Sequence, residues 1–317
     1  MDHNKQNNSQ LECSKPTAVK AANEITCFDE SIYFNRSISH QAMGSLAILA
    51  KTIGWKKAII EGADHSLTNY VISPRRAFFF PILEINEGDK VLDAGSGWGN
   101  ISAKIARGFP TTQVYALDRS NSTTSFANTI SKQEHLDNMY VVHADIMHSP
   151  FGKNSFDVVI MLGLLDWLGM AVQSDSPRTS QILVLKRIYD MLRPGGRLLI
   201  GAENRIGHRF FVGARDSPSG LRFITLLPRQ LANFYSLRKN KTPYVTYTYS
   251  ERGYRKLLSE SGFDEPTFYA AIPNYRYPTT ICDLKSVKEI AHYRFAKAIP
   301  RSIVGALAGS FYIKVRR

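Results

Sequence analysis

Three carboxylates in this chain stand directly after short apolar runs, and the first of them opens a glycine-rich turn. Asp93 ends one run and precedes glycines at positions 95, 97 and 99. Glycine accepts positive φ angles and lets a ligand lie directly against the main chain. Asp118 and Asp145 follow two later apolar runs. Acids that accept hydrogen bonds beside such a turn suit a nucleoside with amine and hydroxyl donors.

The elements that must position these acids are strands that alternate with helices. Apolar runs predict strands at about 91–93, 113–118, 140–143, 156–162, 197–201, 267–272 and 310–315. Helical spacing of apolar residues separates most of these runs. This alternation predicts βαβ units, a parallel sheet and right-handed crossovers. The carboxyl ends of such strands line the ligand crevice, where the three acids would meet.

The run from Val91 to Gly99 matches the pattern hhDxGxGxG and resembles the class I S-adenosylmethionine-dependent methyltransferases. The resemblance implies an α/β, Rossmann-like fold with a seven-stranded sheet, parallel except for an antiparallel last strand, and S-adenosyl-L-methionine as cofactor. We expect a disordered tail at 1–23, a helical N-terminal cap at 24–85 and a methyltransferase domain at 86–317. Within that domain we expect a basic insertion or lid after strand five at 204–249 and a second lid segment at 274–308.

The same resemblance assigns roles to individual residues. Asp93 and the glycine turn would hold the methionine part of the cofactor, and Asp118 would accept from both ribose hydroxyls. Asp145 and the backbone of Ile146 would face the adenine, and Gly163 would line the sulfonium. The full implied set for cofactor binding is Asp93, Gly95, Ser96, Gly97, Gly99, Asp118, Arg119, Asp145, Ile146 and Gly163.

A nicotinamide-binding Rossmann protein is the nearest competing interpretation of the glycine turn. Its GxGxxG fingerprint needs a glycine where this chain has Asn100, and Gly99 comes one position too early. The acid immediately before the turn also fits the methyltransferase pattern better. We therefore favour the methyl donor over the dinucleotide.

Candidate catalytic residues follow strands four and five. We predict Asp166, His208 and Glu203 in this role, since transfer to a hydroxyl needs a base that removes its proton. Asp166 could instead lie at the start of the next helix, where an acid is favoured. His208 could instead be a loop histidine that takes no part in catalysis. No Asn-Pro-Pro-Tyr run follows strand four, which disfavours amino-group methylation by that device. An aromatic acceptor wall or a packed lid would use the tyrosines at 244, 247, 249, 275 and 277.

The formal net charge of +13 favours anionic partners, although solubility alone is an equal explanation. Between Arg205 and Lys241 the only acid is Asp216, so a basic surface is expected there. The three cysteines show no metal-ligand spacing, and we expect no metal. No secretory signal or membrane span is evident, so we expect a cytoplasmic protein, with peripheral contact to an anionic membrane as an extension.

These observations lead to one preferred function and two alternatives. We expect methyl transfer to an oxygen, with nitrogen as second choice, of a small-molecule or sugar-containing acceptor. A looser resemblance around 196–214 and 272–278, to a bacterial subgroup associated with glycoconjugate assembly, supports a glycan-type acceptor. The first alternative is an RNA methyltransferase that uses the basic surface. The second is a cofactor-binding regulator without catalysis. The acceptor, the atom methylated and the oligomeric state stay open.

Overall fold

The computed structural model describes residues 38–168, 176–216, 219–244, 246–284 and 301–317. Among these residues the strands form one eight-stranded sheet in the order β3-β2-β1-β4-β5-β8-β6-β7. The predicted disordered tail at 1–23 lies outside the described residues. The strands are β1 (Lys90–Ala94), β2 (Gln113–Asp118), β3 (Met139–His143), β4 (Phe156–Leu162), β5 (Leu192–Glu203), β6 (Thr267–Ile272), β7 (Thr280–Asp283) and β8 (Ser310–Arg316).

The first five strands are parallel, which confirms the predicted fold class. Val91 of β1 pairs with Val114 on one side and Val158 on the other. Strands that are buried on both faces read as continuous apolar runs, and β1 and β4 do so. The chain order changes direction at β1 and β4, so the carboxyl ends of these strands border the crevice.

The predicted strand count of seven is wrong, because β7 adds an eighth strand at the edge of the sheet. Thr279 donates its N–H to the carbonyl of Ile272 at 2.7 Å, which turns the chain back against β6. Tyr269 then pairs with Asp283 in antiparallel register. Strand β8 is antiparallel to both β5 and β6, as predicted for the last strand. A four-residue strand gives too short an alternation to recognise in the sequence.

Helices cover both faces of the sheet, and several of them begin at side-chain caps. Ser120 accepts from the N–H of Thr123 before α6, and Ser176 accepts from Thr179 before α7. The helices are α1 (His40–Ile53), α2 (Trp55–Gly62), α3 (His65–Ile72), α4 (Phe80–Leu83), α5 (Asn100–Gly108), α6 (Asn121–Gln133), α7 (Pro177–Met191), α8 (His208–Phe211), α9 (Arg229–Asn240), α10 (Glu251–Glu260) and α11 (Arg301–Ala306).

The end of α3 contacts α5, the helix that follows the glycine turn. Asn100 donates its side-chain amide to the carbonyl of Tyr70, and Lys104 Nζ donates to the carbonyl of Ser73. Trp98 within the turn is buried and meets Phe126 of α6 edge to face, with ring centroids 5.0 Å apart. The turn is therefore packed against α6, and the helix after it against the N-terminal segment. The boundary between a cap and a methyltransferase domain stays a prediction.

Residues 204–249, called the insertion below, leave the sheet and return to it at one place. Asn204 and Tyr249 form a parallel bridge, and Arg205 donates its N–H to the carbonyl of Tyr249 at 3.0 Å. The Asn204 amide also donates to the carbonyls of Ala306 and Ala308, each at 2.7 Å. Both ends of the insertion are thus attached at the carboxyl end of β5.

Candidate active site

The glycine turn after β1 has backbone conformations that glycine adopts readily and that other residues adopt only with strain. Gly95, Gly97 and Gly99 have φ angles of 75°, 53° and 74°. A Cβ at Gly99 would lie 2.5 Å from the Cβ of Ala127, so this glycine also lets α6 approach. The N–H groups of Gly95 and Ser96 both donate to the carbonyl of Leu117 at 2.9 Å. The turn is therefore pinned to the end of β2.

Asp118 at the end of β2 holds the turn from its other side. Its Oδ2 accepts from the N–H of Gly97 at 2.8 Å, and its Oδ1 accepts from Ser120 N–H and Thr123 Oγ1. Burial raises the pKa of Asp118, and these hydrogen bonds oppose the increase. A carboxylate has about four acceptor positions. Among the described residues three are used, which leaves one position on Oδ2 for a ligand.

Asp93 is buried beneath the turn. The Ser102 hydroxyl donates to Oδ2 of Asp93 at 2.6 Å. Burial raises the pKa of Asp93 to about 6, against the effects of Ser102 and the positive charge of Arg76. The Arg76 guanidinium is itself buried, 4.1 Å from the ring centroid of Tyr70, and its Nε has no hydrogen-bond partner within the described ranges.

The residues after β3 border the same crevice from the far side. Asp145 is buried, and its Oδ1 accepts from the N–H of Met147 at 2.8 Å. Ile146 is buried behind it. The carbonyl of Arg119 lies 3.0 Å from Nε2 of His143, which fixes the backbone after β2. Asp118, Arg119, Asp145 and Ile146 therefore come from two neighbouring strand ends, as predicted.

Gly163 follows β4 and has a φ of 72°. A Cβ there would lie 2.6 Å from the hydroxyl of Tyr275, which follows β6. Tyr275 is buried, and its hydroxyl has no hydrogen-bond partner among the residues that the structure describes. Burial raises the pKa of Tyr275 well above its ordinary value, so this hydroxyl stays protonated. A protonated hydroxyl thus lies directly against the loop that follows β4.

Asp166 lies in a short 3₁₀ helix after β4 and is 3% exposed. The Tyr254 hydroxyl donates to the Glu203 carbonyl at 2.9 Å and lies 3.4 Å from Oδ1 of Asp166. Burial, and after it the neighbouring charge of Glu203, raise the pKa of Asp166 to about 8, although the charge of Arg276 opposes the increase. At neutral pH this carboxyl is mostly protonated.

Glu203 ends β5 between two arginines. Its Oε2 is 2.7 Å from Nη2 of Arg209, and its Oε1 is 3.4 Å from Nη1 of Arg276. Asp166 and Glu203 are therefore brought together, as predicted. Nδ1 of His208 lies 3.1 Å from the carbonyl oxygen of Leu307. A catalytic role for His208 stays a prediction.

A cavity of about 130 Å³ lies inside the insertion. Two arginines line it and donate to main-chain carbonyls: Arg205 to Thr225 and Leu227, and Arg229 to Thr246 and Tyr244. Neither arginine forms an ion pair with a carboxylate of the described residues. The guanidinium of Arg229 also lies 3.5 Å from the ring centroid of Tyr247. The remaining lining residues are Ile224, Ala232, Thr248 and Tyr249.

A family model described as a methyltransferase domain matches residues 85–221. The ubiquinone/menaquinone biosynthesis C-methyltransferase UbiE of Pseudomonas putida strain F1 is 27% identical over 219 residues, which cover 65% of this chain and 79% of the relative. Over the matched residues the chain is similar to methyltransferase domains, and these matches support a class I S-adenosylmethionine-dependent methyltransferase. UbiE of Haemophilus ducreyi is 34% identical to this chain over 119 residues, 37% of the chain and 42% of the relative.

A solved structure is also similar to this chain. It is the geranyl diphosphate C-methyltransferase of Streptomyces coelicolor, in complex with Mg²⁺, geranyl diphosphate and S-adenosyl-L-homocysteine. The two chains are 14% identical with a TM-score of 0.47, over 83% of this chain and 82% of that one.

The crevice fits S-adenosyl-L-methionine as cofactor. The Ser96 hydroxyl in the glycine turn is buried and has no hydrogen-bond partner in the described part of the chain. The vacant acceptor position of Asp118 suits a ribose hydroxyl, and the open backbone of the turn suits close contact with the nucleoside. Because a single acceptor position is vacant, Asp118 would bind one ribose hydroxyl more strongly than two. The individual cofactor contacts stay predictions.

Several residues of the candidate active site could not be identified from the sequence. Ser102 and Arg76 contact or influence Asp93, Tyr254 contacts Asp166, and Arg276 faces Glu203. A charged residue inside an apolar helical stretch, such as Arg76, is the signal that was available. The sequence carries no signal for Tyr254 and Arg276, because their positions depend on how α10 and the segment after β6 pack.

Proposed function

We propose that the enzyme transfers a methyl group to a hydroxyl oxygen of a small or sugar-containing acceptor that carries a phosphate or a similar anionic group. The observation that supports this proposal most strongly is Asp166, a buried carboxyl with a pKa of about 8 on the acceptor side of the crevice. A general base works best when its pKa lies near the working pH. Asp166 meets this condition, whereas an ordinary aspartate is too weak a base.

The reaction needs a proton acceptor because the hydroxyl proton must leave as the new oxygen–carbon bond forms. S-adenosyl-L-methionine supplies the methyl group when bound. In the proposed mechanism, ionised Asp166 takes the proton onto a carboxylate oxygen, and the Tyr254 hydroxyl lies 3.4 Å from Oδ1 of that carboxylate. Tyr275 donates a hydrogen bond that orients the acceptor beside Gly163. In-line placement of the acceptor supplies much of the rate.

The cavity in the insertion supports an anionic acceptor. Arg205 and Arg229 lie in its wall as half-buried cations without a carboxylate partner among the described residues. Guanidinium groups bind phosphate and carboxylate through paired N–H donors. Tyr249 connects the cavity to the base, because its ring packs edge to face on Tyr254, with centroids 5.4 Å apart. An anion there would hold the acceptor near Asp166.

Transfer to carbon is the second candidate, because the relatives named UbiE are C-methyltransferases. The same base would serve, since removal of a ring hydroxyl proton raises the electron density at an adjacent ring carbon. Nitrogen acceptors and RNA remain further alternatives, and a regulator without catalysis would transfer nothing.

The test is transfer of a labelled methyl group to a fractionated cell extract, followed by structure determination of the product. A methoxy group supports the proposal, and a new carbon–methyl bond supports the second candidate. Label in RNA, or none in any fraction, contradicts both. Asp166→Asn is the control for the base, and it should abolish labelling while cofactor binding persists.

A further inference from the structure

Exposed apolar side chains concentrate on the insertion. Ten large apolar residues are strongly exposed in the described part of the chain, and six of them lie between 211 and 237. Val212 is 83% exposed and Phe234 is 64% exposed. Single exposed apolar residues are normal, but a cluster marks an interaction surface. The other four members are Phe211, Phe223, Leu231 and Leu237.

Helix α9 carries half of this cluster in one stripe. Leu231, Phe234 and Leu237 are spaced three residues apart and are all exposed, whereas Ala232 and Ser236 on the opposite side are buried. Residues at this spacing lie on one face of a helix. The helix therefore turns an apolar stripe away from the protein and rests on a small-residue face.

A second part of the cluster lies on the chain that precedes α9. Arg215 and Arg222 form an antiparallel bridge, which brings the two sides of a loop together. A Cβ at Gly213 would lie 3.2 Å from the ring of Phe223, so this ring is next to the turn after Phe211 and Val212. The 3₁₀ helix at Ile224–Leu226 packs against both α8 and α9. The two parts of the cluster therefore belong to one compact unit.

Cations without acidic partners surround the apolar residues. Arg215 and Arg222 are exposed beside Phe223, and Arg238, Lys239 and Lys241 are exposed at the end of α9. None of these five forms an ion pair with a carboxylate of the described residues. The only acid of the insertion, Asp216, is buried and accepts from the N–H and hydroxyl of Ser219. The surface is thus apolar and uniformly positive.

We propose that this surface of residues 211–241 docks on an anionic lipid bilayer. Phenylalanine and leucine side chains enter the boundary between headgroups and acyl chains, while arginine and lysine bind the anionic headgroups. A protein partner would account for the apolar residues and RNA for the cations, but the bilayer accounts for both. No helix among the described residues is long and apolar enough to cross a membrane, so the contact is interfacial.

Docking through the insertion would bring its cavity to the membrane surface. The insertion carries the cavity with Arg205 and Arg229, and its two ends meet beside β5, next to Asp166 and Glu203. An acceptor held in the bilayer by a lipid tail could then present its polar end to this site. This consequence rests on the proposed function, whereas the docking itself does not.

The experiment measures co-sedimentation of the full chain with vesicles, without cofactor or acceptor. Vesicles of phosphatidylglycerol and phosphatidylcholine in equal parts are compared with pure phosphatidylcholine. The apolar variant is Leu231→Gln with Phe234→Gln, and the charge variant is Arg238→Gln with Lys239→Gln and Lys241→Gln. The matched controls lie on the N-terminal helices: Ile48→Gln with Ile60→Gln, whose side chains are 68% and 61% exposed, and Lys57→Gln.

We expect the parent to bind the anionic vesicles, and each variant of the insertion to bind them at least tenfold more weakly, while the controls bind like the parent. Higher salt should weaken binding by the parent. Absence of binding, or binding that the variants leave unchanged, overturns the proposal. So does a dimer that the apolar variant dissociates, or RNA binding that only the charge variant loses. Because no methyl transfer is measured, failure here is separate from failure of the proposed function.

Discussion

The two sides of the crevice satisfy their polar groups in different ways. On the cofactor side, Asp118 accepts three hydrogen bonds from nearby residues, and Gly95 and Ser96 donate to one carbonyl. On the acceptor side, the side-chain contact to Asp166 is the Tyr254 hydroxyl at 3.4 Å, a backbone hydrogen bond from Glu203 adds to it, and the Tyr275 hydroxyl has no hydrogen-bond partner among the described residues. Hydrogen-bond donors surround the carboxylate of Asp118, whereas burial and the charge of Glu203 dominate the environment of Asp166.

This difference separates binding from chemistry. Hydrogen bonds from N–H and O–H groups favour the charged form of a carboxylate and oppose the effect of burial on its pKa, as they do at Asp118. A carboxyl that is buried beside another acid gains a raised pKa and can exchange a proton near neutral pH. We therefore expect substitutions on the acceptor side to change the rate, and those on the cofactor side to change affinity and stability.

The largest expected effect follows the loss of the base. Asp166→Asn should lower kcat by about 10²- to 10⁴-fold, because general-base catalysis contributes that much. Cofactor affinity, measured by calorimetry, should stay within about twofold of the parent. Asp157→Asn, which removes a peripheral ion pair with Arg193, is the control and should leave kcat unchanged. An Asp166→Asn enzyme with parental kcat would contradict the comparison.

A smaller effect, now on affinity, is expected at Asp118. Asp118→Ala removes the acceptor for a ribose hydroxyl and the anchor of Gly97. A hydrogen bond to a charged group contributes about 1.5 to 3 kcal/mol, so cofactor affinity should fall about 10- to 100-fold. Calorimetric titration with the cofactor measures this change. If the variant binds like the parent, the assignment of the cofactor side fails.

The next expected effect is on stability. Alanine substitutions at two glycines with positive φ distinguish the cost of steric overlap with a neighbour from the cost of backbone strain. Gly99→Ala places a Cβ 2.5 Å from Ala127 at a φ of 74°. We expect a loss of about 2 to 4 kcal/mol in the free energy of unfolding, from strain and overpacking together. Gly195→Ala has a φ of 76° with open space around the new Cβ and should lose about 1 to 2 kcal/mol. Equal losses in urea unfolding would mean that α6 moves aside freely.

The smallest effect is the dependence of the rate on pH. Because the base acts when ionised and has a pKa of about 8, kcat should rise about fivefold between pH 7 and pH 8 and then level off. The folded chain holds this proton more tightly than the unfolded chain does, so Asp166 lowers the free energy of unfolding as pH rises from about 4 towards 8. Asp166→Asn should flatten that fall. A rate that is flat across pH 7 to 8 would assign the proton transfer elsewhere.

The cofactor side could be predicted from the sequence because its residues are close together in the chain. Glycine spacing, an acid at the end of an apolar run and a strand–turn–helix order are local features, and β1, β2 and β4 were predicted within a few residues. The convergence of Asp93, Asp118 and Asp145 could be predicted from one rule: the carboxyl ends of parallel strands lie at the same edge of a sheet.

The acceptor side could be predicted in part. Asp166 and Glu203 were named because they follow strands, but the raised pKa of Asp166 depends on its burial, which distant segments provide. Arg276 reaches Glu203 across a sequence separation of 73 residues, and the cavity in the insertion depends on how α9 folds back. β7 was missed because four residues give no clear alternation. Contacts between distant segments are set by tertiary packing.

The bridge between Asn204 and Tyr249 has a consequence for how such an enzyme can diversify. A segment whose two ends lie side by side can be lengthened, shortened or exchanged without pulling the sheet apart, since closing its loop costs little more when its length changes. The proposed acceptor preference and the proposed membrane contact can then change when the insertion alone is replaced, while the residues of the cofactor crevice stay the same.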